Sequence, residues 1–279
     1  MWPMFFNSSF LTDYSQKPDV HLVHSRFNPY LAEAILPKNE TFYVTILRHP
    51  VAQWVSIFIY FRKLNYRRFD SIFSAMNYFI DTYTGGINDT KNGAYGRNSN
   101  FFDCGIGDKY LTSDSMITEI IKWIDEAFDF VFINELWEES ILLLKEKMCL
   151  SLDEVIAFDA NVRLYKIPEL PKSLQDKILK FNDADHQLYQ YFYQKVKKEA
   201  SKFSPSDFEN LRRRKKFWEN TCILGREAKI AYSNRKYLGY RLKNNVSEEY
   251  RTQCELMTMG EIQFFDMYKQ KMIDDFLKT

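Results

Sequence analysis

The segment TFYVTIL, residues 41–47, is an almost unbroken apolar run, and HPVAQWVSIFIYFRKL follows it with Pro50 placed for the first turn of a helix. A short run of this kind predicts a strand covered on both faces, as in parallel sheets flanked by helices. The same order occurs elsewhere. DVHLVH, residues 19–24, reads as a strand, and RFNPYLAEAILP reads as a helix with Asn28 as its N-cap and Pro29 at its first position. Farther on, SMITEIIKWIDEAFDFVFINELWEESILLLKEKM gives a helix, a strand around Phe130 to Ile133 and a second amphipathic helix. Strands alternating with helices predict an α/β fold built on a parallel sheet.

From Pro171 onward the pattern turns helical, through LQDKILKF, DADHQLYQYFYQKVKKEASKF, SPSDFENLRRRKKFW and GEIQFFDMYKQKMIDDFLK. No second sheet is legible there. The expectation is a single domain, 1–279, whose stretch 171–279 is mainly helical. TYTGGINDTKNGAYGRNSN, from Thr82 to Asn100, forms a long irregular insertion of the kind that often carries function.

The chain has 279 residues, 46% of them hydrophobic, enough for a real core. Lysine and arginine number 38 against 37 acids. That balance gives no reason to expect nucleic-acid or wholesale membrane-surface binding, so any anion site must be local. No run of roughly 18 apolar residues is present, and MWPMFFNSSF lacks the marks of a signal peptide. Cys104, Cys149, Cys222 and Cys254 have no CxxC spacing; an oxidising compartment would allow one or two disulfides, with the pairing open. No His/Cys/acid cluster has metal-ligand spacing. The run RRRKK, from Arg212 to Lys216, reads as a solvated helix face. Four Asn-x-Ser/Thr sequons, at Asn7, Asn39, Asn88 and Asn245, point weakly to a lumenal compartment.

In an open parallel sheet, ligands bind outside the carboxyl ends of the strands. Arg48 stands there, and Ser56 follows two helical turns into the next element. A guanidinium fork, a hydroxyl and the free N–H groups of a helix start can converge on one phosphate. In the competing reading Arg48 caps a neighbouring helix or pairs with an acid, and Ser56 is a small polar residue on a packed face. The absence of GxxxxGK[ST] argues against a nucleotide kinase.

HLVHSRFNPYLAEAILPKNETFYVTILRHPVAQWVSIFIYF resembles the galactose-3-O-sulfotransferase family, with its His-x-Arg-Phe-Asn, its apolar strand and its Leu-Arg-Asp-Pro followed by a serine eight residues after the arginine. GRNSNFFDCGIG is similar to that family's Arg-Asn-x-x-x-Phe-Asp-x-Gly loop. FDFVFINELWEESILLLKEKMCLSLDEVIAFDAN resembles its strand and Glu-Ser helix, and ILKFNDADHQLYQYFYQKV its Trp-Asn-x-x-Asp-x-x-Leu-Tyr helix. The resemblance runs from about residue 20 to about residue 225, with the motifs in order.

The resemblance implies a P-loop-like sulfotransferase fold, with a parallel sheet flanked by helices and a helical C-terminal third. It implies a Golgi enzyme that moves a sulfuryl group from 3′-phosphoadenosine 5′-phosphosulfate to the 3-hydroxyl of a galactose in a glycolipid or glycan, without a metal. Arg48 and Ser56 would hold the donor's 3′-phosphate. By position, His24 at the carboxyl end of its strand is the candidate base for the sugar hydroxyl, with a histidine satisfied by a backbone partner as the other reading, and Arg26 two residues on would face the same cleft. Arg97 and Asn98 in the long loop would touch donor or sugar, with a turn-stabilising pair as their other reading. A homo-oligomer stays open.

Two departures from the family carry consequences. Ahead of the part that WPMF matches, family members have a membrane anchor, a strand and a Lys/Thr/Ser loop that cradles the 5′-phosphosulfate; without them the sheet would lack a central strand and the donor its cradle. A catalytically inactive glycan- or nucleotide-binding protein is therefore the alternative. In addition, His49 stands where the family has aspartate, which would remove an acceptor that fixes the turn.

Overall fold

The computed structural model describes residues 4–5, 25–61, 68–83, 96–159, 162, 168–230 and 236–276. The chain divides into two units, residues 1–140 with 169–201, and residues 141–168 with 202–279.

In the first unit, α1 (Pro29–Glu33) starts as the sequence predicts: the Asn28 side chain accepts a hydrogen bond from the Leu31 N–H at 3.4 Å, and Pro29 opens the helix. Strand β1 (Val44–Leu47) leads into α2 (Pro50–Tyr60), and α3 (Ile72–Thr82) follows, capped by the Ser71 hydroxyl on the Ser74 N–H. A short helix, α4 (Ser99–Asp103), ends the long insertion. Next come α5 (Asp114–Ala127), β2 (Phe130–Ile133) and α6 (Trp137–Lys147), whose later residues belong to the second unit. α7 (Lys172–Phe181) and α8 (Asp183–Ala200) complete the first unit.

β1 and β2 pair in parallel, Val44 opposite Phe130 through Leu47 opposite Ile133. All four residues of β2 are buried. β1 differs from expectation. Leu47 is 1% exposed, but Val44 and Ile46 on the other face are 45% and 55% exposed. An apolar run marks a residue's preference and cannot say whether an element arrives to cover it. The strand expected at residues 19–24 lies outside the described residues. Beneath the sheet the core is aromatic: Trp54 stacks on Phe58 at 5.2 Å, and Phe79 meets Phe58 edge-on at 5.7 Å. α2 packs on α7 and α8, so its buried stripe of Trp54, Val55, Phe58 and Ile59 faces inward.

In the second unit, α9 (Pro205–Cys222) runs directly into an antiparallel hairpin of β3 (Ile223–Ile230) and β4 (Lys236–Leu242), followed by α10 (Glu248–Thr258) and α11 (Glu261–Phe276). The hairpin corrects the expectation that no second sheet exists after Pro171, although helices still dominate that stretch. ILGREAKI hides as a strand because most of its positions are half or fully exposed and two of its eight are Gly and Lys sites typical of loops. Of the basic run, Arg212, Arg213 and Lys216 are exposed, and Arg214 grips Asp153, which also accepts from the Trp218 indole at 2.8 Å. A disulfide joins Cys222 and Cys254, while Cys104 and Cys149 are free thiols.

Candidate functional site

The corner where β1 hands over to α2 concentrates polar groups. α2 has no side-chain cap, and its first intrahelical bond runs from the Gln53 N–H to the His49 carbonyl. Proline at position 50 has no N–H, so the Val51 and Ala52 N–H groups are left for a ligand or water. The His49 N–H is taken by the Glu135 carboxylate, at 3.0 and 3.2 Å to its two oxygens. Glu135 lies in the turn Asn134–Leu136 that follows β2. The acceptor that His49 fails to supply therefore comes from the neighbouring strand's end.

Arg48 stands at this corner with its Nε buried and without a hydrogen-bond acceptor among the described residues. A buried charged donor left unmade costs about 1–3 kcal/mol, so an acceptor is expected from beyond the described residues. The competing reading of Arg48, an ion pair or a helix cap, finds no partner for that atom. Its carbonyl accepts from the Asn100 side chain at 3.4 Å. Ser56 lies on the half-buried stripe of α2 that also carries His49, Ala52 and Gln53, roughly 9 Å along the axis from Pro50.

The His49 ring meets Tyr189 of α8 edge-on at 5.2 Å. Burial lowers the His49 pKa; the Glu135 carboxylate opposes that shift and His186 adds to it. The Tyr189 phenol is pushed up, first by burial and then by the charge of Glu135.

Behind the corner, α8 anchors the end of the insertion. Asp185, 1% exposed, accepts from the N–H groups of Asn100 and Phe101 at 2.9 and 3.0 Å. Burial pushes its carboxyl up to about 7, against those two donors. Asn98, in the left-handed region at φ 47°, receives the Asp185 N–H on its Oδ1 and donates to Asp108, while its own N–H goes to Asn182. Gly105, at φ +90°, brings the chain so near Phe27 that a Cβ would lie 2.3 Å from its carbonyl oxygen. At the end of β2, buried Ser140 accepts from the Ile133 N–H at 3.1 Å, which ties α6 back to the strand.

A family model described as galactose-3-O-sulfotransferase matches residues 1–272. The chain belongs to that family. It is 27% identical to mouse galactose-3-O-sulfotransferase 2 over 94% of its own length and 72% of that protein. It is equally 27% identical to human galactosylceramide sulfotransferase, over 94% of its length and 67% of the relative. Pig galactose-3-O-sulfotransferase 2 is 30% identical over 63% of this chain. No solved structure matches.

Among the residues that the galactose-3-O-sulfotransferase resemblance singles out, the fold brings Arg48 and Asn98 into one network through Asn100 and Asp185. Asn98 is buried with both ends of its amide engaged, which favours the turn-stabilising reading. Arg97 donates its Nε to the Phe181 carbonyl at 2.8 Å and remains exposed. Arg26 is held apart from the corner's contacts: its guanidinium lies between the rings of Phe5 and Phe102, at 4.0 and 3.9 Å, and donates to the carbonyls of Phe102 and Gly105. Burial lowers its pKa, opposed by Asp103. His24 lies outside the described residues. Sequence reasoning misses Glu135, Asp185 and Tyr189. One signal exists: Asn182, Asp185 and Tyr189 recur at helical spacing on a face that also carries Leu188, so polar groups sit where apolar ones are expected.

Proposed function

We propose that the chain is a carbohydrate sulfotransferase that uses 3′-phosphoadenosine 5′-phosphosulfate to sulfate the 3-hydroxyl of a galactose in a glycolipid or glycan. The observation that carries the reading is the buried Nε–H of Arg48, without an acceptor among the described residues, beside an uncapped helix start in a chain of this family. A phosphate fits that donor set: a guanidinium, the Val51 and Ala52 N–H groups and the Ser56 hydroxyl all donate to anionic oxygens. The donor supplies an activated sulfuryl group. Arg48 and Ser56 hold its 3′-phosphate, and Glu135 fixes the backbone turn from which Arg48 projects. His24 takes the proton of the sugar hydroxyl, and Arg97 offers an exposed guanidinium to donor or acceptor. Asn98, Asn182 and Asp185 hold the loop that carries Arg97 against α8.

The family resemblance supports placement in the Golgi lumen, held there by a membrane anchor. The Cys222–Cys254 disulfide supports an oxidising compartment independently.

Calorimetric titration with 3′-phosphoadenosine 5′-phosphate, paired with labelled sulfate transfer to galactosylceramide and to a galactose-terminated oligosaccharide, tests the reading. Binding with transfer is expected. Binding without transfer identifies the nucleotide-binding alternative, and no binding at all overturns the donor site.

A further inference from the structure

Of the four sequons, two fall on described residues, and both sit on exposed turns. Asn39 occupies the third position of the turn Pro37–Glu40, closed by the Glu40 N–H on the Pro37 carbonyl at 2.9 Å. Its side chain is exposed, as is that of Glu40. Asn245 lies on the turn between β4 and α10. There the backbone is held from below: Val246 is buried, and the Arg251 guanidinium donates to the carbonyls of Val246 and Asn244 at 3.0 and 3.4 Å. Asn245 and Ser247 flank that anchor and face water. Ser247 is the N-cap of α10, yet its hydroxyl makes no capping bond. The sequon's second polar group is therefore free of structural duty. The same unit contains the Cys222–Cys254 disulfide, whose formation needs the oxidising compartment in which N-glycans are attached.

We propose that Asn39 and Asn245 both carry N-linked glycans. The inference rests on the lumenal placement proposed above. In the attachment, the Asn side-chain nitrogen bonds to the anomeric carbon of an oligosaccharide carried on a lipid pyrophosphate. The carbon–oxygen bond to phosphate breaks, the lipid pyrophosphate leaves with the electron pair, and the amide nitrogen loses one proton. Neither turn has to move to carry the sugar, because both asparagines are exposed.

The test expresses the full chain in secretory cells behind a cleavable leader. Peptides released by a peptide-N-glycosidase in heavy-oxygen water are then mapped, and cysteine pairing is read on the non-reduced protein. Heavy-oxygen aspartate at positions 39 and 245 is the expected result, and N39Q and N245Q should each remove one glycan's step in gel mobility. S247A and T41A remove the same sequons while keeping the asparagines, so loss of the step without loss of secretion excludes misfolding as its cause. An unmodified asparagine in a chain with Cys222 bonded to Cys254 overturns the assignment at that position and leaves the lumenal reading standing. Reduced cysteines together with unmodified asparagines overturn the assignment and remove the disulfide's support for a lumenal placement.

Discussion

The two units are held together by different kinds of interaction. In the first, polar groups are buried and shared: Asn98, Asn182 and Asp185 each bond across from the insertion to the α7–α8 junction, and hardly any of their surface reaches water. In the second, the polar contacts lie near the surface. Arg214 pairs with Asp153 while both remain about one-third exposed, Lys215 pairs with Asp159 at 3.2 Å, and a covalent cross-link closes the junction of α9 and α10. Exposed ion pairs contribute little, with a median of about 0–1 kcal/mol, and tolerate rearrangement. Buried networks tolerate neither loss nor displacement of a partner. A buried network is how a fold fixes a loop to a fraction of an ångström, and it occurs next to the corner that carries Arg48.

The contrast can be broken most sharply at Asp185. D185A leaves the N–H groups of Asn100 and Phe101 buried without acceptors, and chemical denaturation should record a loss of about 2–5 kcal/mol. R214A in the second unit should cost far less despite its bidentate geometry. The cross-link comes next. Replacing Cys222 and Cys254 by alanine should lower stability by about 4 kcal/mol, given a loop closed over 32 residues, and leave nucleotide binding intact. Equal loss of binding would mean that the second unit supports the site directly.

R48A removes a charge-assisted donor worth about 1.5–3 kcal/mol, so affinity for 3′-phosphoadenosine 5′-phosphate should fall roughly 10- to 150-fold, with no fall in the melting temperature of the unliganded chain. Unchanged affinity would return Arg48 to a structural role. Glu135 gives a smaller and more discriminating effect. E135A frees the turn and should weaken nucleotide binding about 5-fold, about 1 kcal/mol. E135Q keeps an acceptor for the His49 N–H while deleting the charge, so it should bind at least as well as the parent.

The remaining test is a slope with pH. Asp185 has a folded pKa of about 7, above its ordinary 3.8, so its contribution to stability is fully present below pH 3.8 and is lost as pH rises toward 7. His49 acts in the opposite sense: its folded pKa is depressed from 6.5, so stability is lost as pH falls below that value. D185N should remove the first slope and keep the second, measured as denaturation midpoints from pH 4 to pH 7.

Much of this arrangement was legible from sequence. Asn28 and Pro29 announce α1, Pro50 announces α2, and the helices from Lys172 to Cys222 follow their apolar periodicity closely. The place of Arg48 was legible because an apolar run ending at Leu47 and a helix opened by Pro50 bracket it. Glu135 was not, because its role depends on β2 lying beside β1 in register, a pairing across more than eighty residues. The hairpin of β3 and β4 was hidden for a related reason: exposure on most positions erases the apolar pattern on which strand recognition depends.

Cys104 lies fully inside the first unit, and burial followed by the nearby carboxylates of Asp103 and Asp185 holds its thiol protonated. A thiol reagent can reach it only when the packing around α4 opens, and then only as fast as a thiolate forms. With exposed Cys149 replaced by serine, the rate of labelling at Cys104 becomes a clock for local opening beside the corner that carries Arg48. A bound ligand that steadies the corner would slow that clock.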